Sequence, residues 1–329
     1  MFWRFRNTTY FIFTLIMLVC LPFYAQAVDV FGVVSLFAIP EQPGPNSQVT
    51  LRVESSSADV NRSTIIWAVN GKVVASAIGK TTFTLTTGAI GSQTTVSVSV
   101  KEGAQPALSE TLVFRPASVD VWWQADSRIP ELYPGKGLHA SQSNLTIVAF
   151  PQLTVAGKRV PPEKLVYSWK HNNKPLVEQS GYGKNVLSVR GAKRYGADTV
   201  AVGVSTLDNA VRAEKSITIT TIDPEIIFYQ ERPLAGTDRA NAVPQNISST
   251  ARALSFRAEP YFVSRSDWQN NFTPFSCLLN GITLSQENGL FSITPAGKQT
   301  LACAVENTKK VLQDKSATLH ISSPNKINQ

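Results

Sequence analysis

Ile65-Ile66-Trp67-Ala68-Val69-Asn70-Gly71 decides the architecture of this chain, because it recurs twice in altered form. The later versions read Val166-Tyr167-Ser168-Trp169-Lys170-His171-Asn172-Asn173 and Phe275-Ser276-Cys277-Leu278-Leu279-Asn280-Gly281. Successive side chains of a strand face opposite sides. Ile65, Trp67 and Val69 therefore share a face, as do Leu165, Tyr167, Trp169 and His171, and again Phe275, Cys277 and Leu279. The Asn-Gly or Asn-Asn that closes each stretch supplies the positive-φ residues of a type I′ hairpin turn. Apolar spacings of three and four, the mark of a helix, are not sustained in any of them.

Each stretch is followed by a glycine turn and a second alternating run. Gly91 leads to Val96, Val98 and Val100; Gly196 leads to Val200, Val202 and Val204; Gly297 leads to Leu301, Cys303 and Val305. A Trp-bearing strand set against a later alternating strand, in units of about a hundred residues, resembles an immunoglobulin-like β-sandwich. The resemblance is to the bacterial Ig-like and polycystic-kidney-disease-type (PKD-type) repeats of exported proteins. It implies an all-β chain of three tandem Ig-like β-sandwich domains, with Trp67 and Trp169 as core anchors. The turn Trp67-Ala68-Val69-Asn70-Gly71 departs from the acidic PKD turn. That departure argues against calcium, which wants clustered oxygens.

The N-terminus reads as a signal helix. Arg4 and Arg6 precede the apolar stretch Tyr10 to Phe23, and Ala25-Gln26-Ala27 is a small-x-small cleavage site. The apolar stretch is short for a membrane span, and an uncleaved anchor is the alternative. The expected division is 1–27 signal peptide, 28–115, 116–222 and 223–323 Ig-like domains, and 324–329 polar tail. The expected location is periplasmic, extracellular or cell-surface.

The chain has 31 Lys+Arg against 23 Asp+Glu, a net charge of +8. Removal of Arg4 and Arg6 leaves +6. The basic residues are scattered, densest at Arg190, Lys193 and Arg194, and make no stripe that would follow a nucleic acid. Cys277 and Cys303 both fall at inward strand positions of the third unit. An oxidising compartment favours a structural disulfide between them, with two buried free thiols as the alternative. The usual Ig bridge joins other strands (B to F), so a bridge here needs a suitable facing pair on neighbours.

Two joints carry adjacent aromatics after a proline: Trp122-Trp123 after Pro116, and Phe228-Tyr229 after Pro224. Adjacent residues on a strand point to opposite faces, so one of each pair is core. The other is buried at the joint or exposed as a platform for a sugar or peptide. Trp268, in Ser266-Asp267-Trp268-Gln269-Asn270, is expected in a polar loop and is a further aromatic candidate. The second and third units share an added segment of some twenty residues before their second strand, which the first lacks. No Gly/Ser linker separates the units, which predicts a semi-rigid rod.

No catalytic or metal-binding pattern emerges. His139, His171 and His320 lie in different segments. Glu225, Glu231, Glu259 and Asp267 form no recognisable carboxylate pair. No nucleophile elbow or phosphate-cradling glycine loop appears. The expectation is an exported, non-catalytic repeat protein without cofactor. It would be a structural, adhesive or protein-binding element of the bacterial cell envelope or of a surface or pilus-type assembly. The alternatives are a carbohydrate-binding array using exposed aromatics and an exported enzyme with a noncontiguous site.

Overall fold

The structure, a computed structural model, describes residues 33–131, 133–191, 196–285 and 289–323. The expected signal segment, Lys193, Arg194 and the polar tail 324–329 lie outside these. Among the described residues no helix is long and apolar enough to cross a membrane.

The chain is all-β. Unit one contains β1 (Val34–Ile39), β2 (Gln48–Ser55), β3 (Thr64–Val69), β4 (Lys72–Ile78), β5 (Thr82–Thr86), β6 (Thr94–Lys101) and β7 (Leu108–Phe114). Unit two contains β8 (Ser118–Ala125), β9 (Asn144–Gln152), β10 (Thr154–Val155), β11 (Lys158–Arg159), β12 (Val166–His171), β13 (Lys174–Pro175), β14 (Gly181–Tyr182), β15 (Val186–Arg190), β16 (Ala197–Ser205) and β17 (Arg212–Thr220). Unit three contains β18 (Glu225–Arg232), β19 (Gly236–Ala242), β20 (Asn246–Ser248), β21 (Leu254–Tyr261), the helix α1 (Arg265–Gln269), β22 (Phe275–Leu279), β23 (Ile282–Thr283), β24 (Leu290–Ile293), β25 (Lys298–Glu306) and β26 (Asp314–Ser322).

The same sheet pair is built three times. One sheet runs β4-β3-β6-β7, β13-β12-β16-β17 and β23-β22-β25-β26; the other runs β1-β2-β5, β8-β9-β15 and β18-β21-β24. Each unit is thus an Ig-like sandwich with its own apolar cluster between the sheets. Alternation produces it directly. Val49, Leu51 and Val53 of β2, Ile65 and Trp67 of β3, and Val96, Val98 and Val100 of β6 are all buried in unit one. Tyr167 and Trp169 face Val200, Val202 and Val204 in unit two in the same way.

The hairpin turns take the expected backbone. Asn70 and Gly71 have φ of 50° and 79°, Asn172 and Asn173 50° and 64°, and Asn280 and Gly281 48° and 85°. The asparagine does more than turn. In each unit its Oδ1 accepts the backbone N–H of a threonine on the neighbouring long strand: Thr95 at 2.9 Å, Thr199 at 3.0 Å and Thr300 at 2.8 Å. Its own N–H donates to the same threonine's carbonyl, at 2.8, 2.8 and 2.9 Å respectively. The hairpin is therefore pinned to the sheet centre by a two-bond clasp that recurs in all three units.

The added segments of units two and three differ, although their sequences are alike. In unit two, the described residues among 126–143 form no strand; Ala140 bridges Ile222, and Gly137 O accepts the N–H of Ala125 in β8. In unit three the corresponding segment forms β19, which extends one sheet beside β18, and β20, which pairs parallel with β26 in the other.

Candidate binding surfaces and buried polar clusters

The central slot of each sandwich is filled by the repeat residue. Trp67 and Trp169 are fully buried, and each indole N–H donates to a lysine carbonyl: Lys80 at 2.9 Å and Lys184 at 2.9 Å. A buried N–H thus has its acceptor, as burial requires. Cys277 takes the slot in unit three and is disulfide-bonded to Cys303. The two face each other across β22 and β25, with Cα atoms 4.1 Å apart. The bridge joins neighbouring strands of one sheet, unlike the usual inter-sheet Ig bridge.

The two pairs of joint aromatics take the two alternatives open to them. Trp123 points inward against the core of unit two, and Trp122 is 69% exposed on the outer face of β8. Phe228 and Tyr229 are both buried, Tyr229 lying edge-on to Tyr261. Neither is a platform. Burial pushes the Tyr261 hydroxyl well above the ordinary tyrosine range, helped by Tyr229.

Trp268 is not in a loop. Ser264 caps α1, its side chain accepting the Asp267 N–H, and the turn of helix lays Trp268 half-buried against Phe275. The Arg128 guanidinium sits 4.9 Å above the Trp268 ring and 5.3 Å above that of Tyr261. The ring is engaged in a cation–π contact.

Arg128 belongs to the added segment of unit two, so this contact crosses the joint with unit three. Its N–H donates to Val263 O at 2.8 Å, and its carbonyl accepts Phe262 N–H at 2.7 Å. Its guanidinium pairs with Glu259 and donates to Pro260 O. Asp126 accepts from the hydroxyls of Ser264 and Ser266, at 2.9 and 2.5 Å. Gln313, fully buried, is the centre of a second cross-joint set. Its Nε2 donates to Ser141 O at 2.8 Å and Ser143 Oγ at 3.1 Å. Its Oε1 accepts Ser264 N–H at 2.8 Å and Asn307 Nδ2 at 3.0 Å. Beneath it Lys310 pairs with Asp267. Burial pushes the Asp267 carboxyl up, but hydrogen bonds from Lys310 and Asn307 outweigh it and hold the pKa below the usual value.

The joint between units one and two is thinner. Among the described residues it is marked by a 3.4 Å bond from Gly91 N–H to Pro116 O and by a groove between Phe37, Leu112 and Phe114 on one side and Asn209 and Arg212 on the other.

One cluster escaped sequence reasoning. His139, from the added segment, and His171, at the end of β12, converge on Asp198 of β16. Each donates its Nε2–H to one carboxylate oxygen at 2.9 Å, and Asn172 adds a third bond at 2.7 Å. An ionised carboxylate only accepts, so both imidazoles carry their proton on Nε2. Burial pushes the Asp198 carboxyl up, while the bonds from Asn172, His139 and His171 bring it below the usual range. Gly191 closes over the cluster: a Cβ there would lie 2.1 Å from His139 Cε1. The cluster ties the added segment to the sheet and presents no open face to a substrate. Among the described residues no group of His, Cys, Asp and Glu is arranged to hold a metal ion. Glu231, Glu259 and Asp267 are each paired with a cation, at Arg257, Arg128 and Lys310.

No family model matches the chain, and no curated protein matches it. Among solved structures it is similar to Sidekick-1 immunoglobulin domains 1–5, at 12% identity and TM-score 0.28, covering 90% of this chain and 59% of that one. It is also similar to the three N-terminal domains of the outer capsid protein Hoc of bacteriophage RB49, at 12% identity and TM-score 0.25, covering 89% and 98%. A third similarity is to fibronectin(III)-like modules of Clostridium thermocellum CbhA, at 10% identity and TM-score 0.27, covering 57% and 94%. At these scores the likeness has no functional weight, and the Ig-like assignment stands on the chain's own repeated sheet topology.

Proposed function

We propose that this chain is an exported, non-catalytic array of three Ig-like units, divided as 28–115, 116–222 and 223–323. In this reading it serves as a structural, adhesive or protein-binding element of a bacterial cell envelope or a surface or pilus-type assembly. The observation that supports it most is the use to which its polar chemistry is put. Asp198, Asp267, Glu259 and Gln313 are consumed in holding added segments and the joint between units two and three. Groups so paired are not poised for proton transfer, which needs an accessible acid or base. The Cys277–Cys303 bridge supports export, because such bonds persist in oxidising compartments.

Affinity capture from the native cell envelope tests the role. A reproducible stable envelope partner is expected, and recovery of none from intact, solubilised envelopes would count against it. Mass spectrometry of the mature chain tests export separately, with a new N-terminus after Ala27 as the expected result.

A further inference from the structure

Alternation along β8 turns Trp123 to the core and Trp122 outward, where most of its ring meets solvent. Phe150 of β9 tilts against it, ring centroids 4.9 Å apart and planes at 51°, and is itself 42% exposed. On the same face Gln124 and Thr146 sit directly opposite each other in register. A shallow open groove runs over these four residues and around the edge of β8. The cation beside it is already engaged: Lys136 Nζ lies 3.5 Å over the Trp123 ring. Asp120, opposite Phe150, flanks the other end.

Two exposed aromatic rings flush with a neutral amide and a hydroxyl match the two-sided chemistry of a pyranose. Its C–H face stacks on aromatic carbon, and its hydroxyls exchange hydrogen bonds with side chains that both donate and accept. Other occupants fit less well. Trp122 and Phe150 together offer on the order of 200–300 Å², well short of the roughly 800 Å² per partner of a stable protein interface. A peptide strand added to β8 would pair with the backbone at its edge, beside and not over the outward faces of Trp122 and Phe150. Asp120 disfavours an anionic sugar. We propose that Trp122, Phe150, Gln124 and Thr146 form a binding face for a neutral glycan.

The test titrates the full chain with neutral gluco-, manno- and N-acetylglucosamine oligosaccharides, read by calorimetry and by saturation-transfer NMR. At least one should bind, with Trp122→Ala weakening it by about tenfold or more at unchanged thermal midpoint, since the ring is on the surface. Gln124→Ala with Thr146→Ala should weaken it severalfold while leaving the aromatic contacts in the NMR difference spectrum. Three results would overturn the proposal: no oligosaccharide binds the folded protein, binding survives Trp122→Ala, or Trp122→Ala abolishes a concentration-dependent self-association instead. Failure here would leave the envelope-element reading intact, because that rests on partner capture.

Discussion

The clasp made by Asn70, Asn172 and Asn280 explains why one residue type recurs three residues after the central slot. Asparagine supplies both the left-handed backbone of the turn and an acceptor for the threonine N–H. Replacing it by alanine keeps neither. Asn70→Ala and Asn280→Ala should each cost about 1–2 kcal/mol, measured by denaturant unfolding, with aspartate costing less because it keeps the acceptor. Asn172→Ala should cost more, since it also removes a bond to Asp198, and aspartate there should not rescue it because it sets two carboxylates together. Asp198 makes a pH prediction. Its folded pKa is depressed, so its contribution is fully present above the unfolded carboxylate value of about 3.9 and is lost as pH falls through the lower folded value. Thermal midpoints should drop below about pH 4, and Asp198→Asn should lower stability at neutral pH by roughly 1.5–3 kcal/mol while flattening that acid limb. A mutant with an unchanged acid limb would refute the assignment.

At the scale of elements, the strands that form the cores were readable because alternation is a local signal. Ile65-Ile66-Trp67 and Thr95-Val96-Ser97-Val98 carry their burial pattern in their own order, and the structure keeps it. What the sequence did not reveal depends on distant partners. Nothing near His139 announces Asp198, 59 residues away. Two similar added segments become a loop in unit two and strands in unit three because their docking surfaces differ: one meets the next unit and the other its own sheets. Trp268 was misread although its helix cap is local, Ser264 accepting the N–H of Asp267 three residues on; only the bond from Ser264 to Asp126 crosses the joint, and Lys310 adds one from within unit three. The β22–β25 bridge closes a span of 26 residues. Its removal by Cys277→Ala with Cys303→Ala should destabilise unit three by about 3–4 kcal/mol in the chain-entropy model, seen as a lower midpoint for the transition it shares with unit two and an unchanged one for unit one.

For the whole molecule, the two joints predict unequal coupling. Units two and three share backbone bonds, an ion pair and a fully bonded buried amide, whereas units one and two meet through a groove and a long backbone bond. Calorimetry should resolve two transitions, unit one separately and units two and three together. Gln313→Ala orphans Ser264 N–H and leaves Asn307 Nδ2 with Asp267 alone of its two acceptors, should cost roughly 2–3 kcal/mol, and should split the shared transition. If units two and three already melt independently in the wild type, the joint is weaker than its bonds imply.

The parallel pairing of β20 with the last strand, β26, bears on how the protein meets a mechanical load. Tension between the two ends of unit three reaches this pair from the C-terminal end of β26 and, through β18 and β19, from the N-terminal end of β20, and so draws the two strands along their axes in opposite directions. Bonds so loaded are sheared as a group, where those of an antiparallel hairpin pulled from one end would unzip singly. Among the described residues of unit one the last strand, β7, pairs only antiparallel, with β6. Stretched in an optical trap, unit three should therefore yield at higher force than unit one, and an Ile247→Pro chain should lose that difference. An array anchored at one end would then extend from its N-terminal unit first.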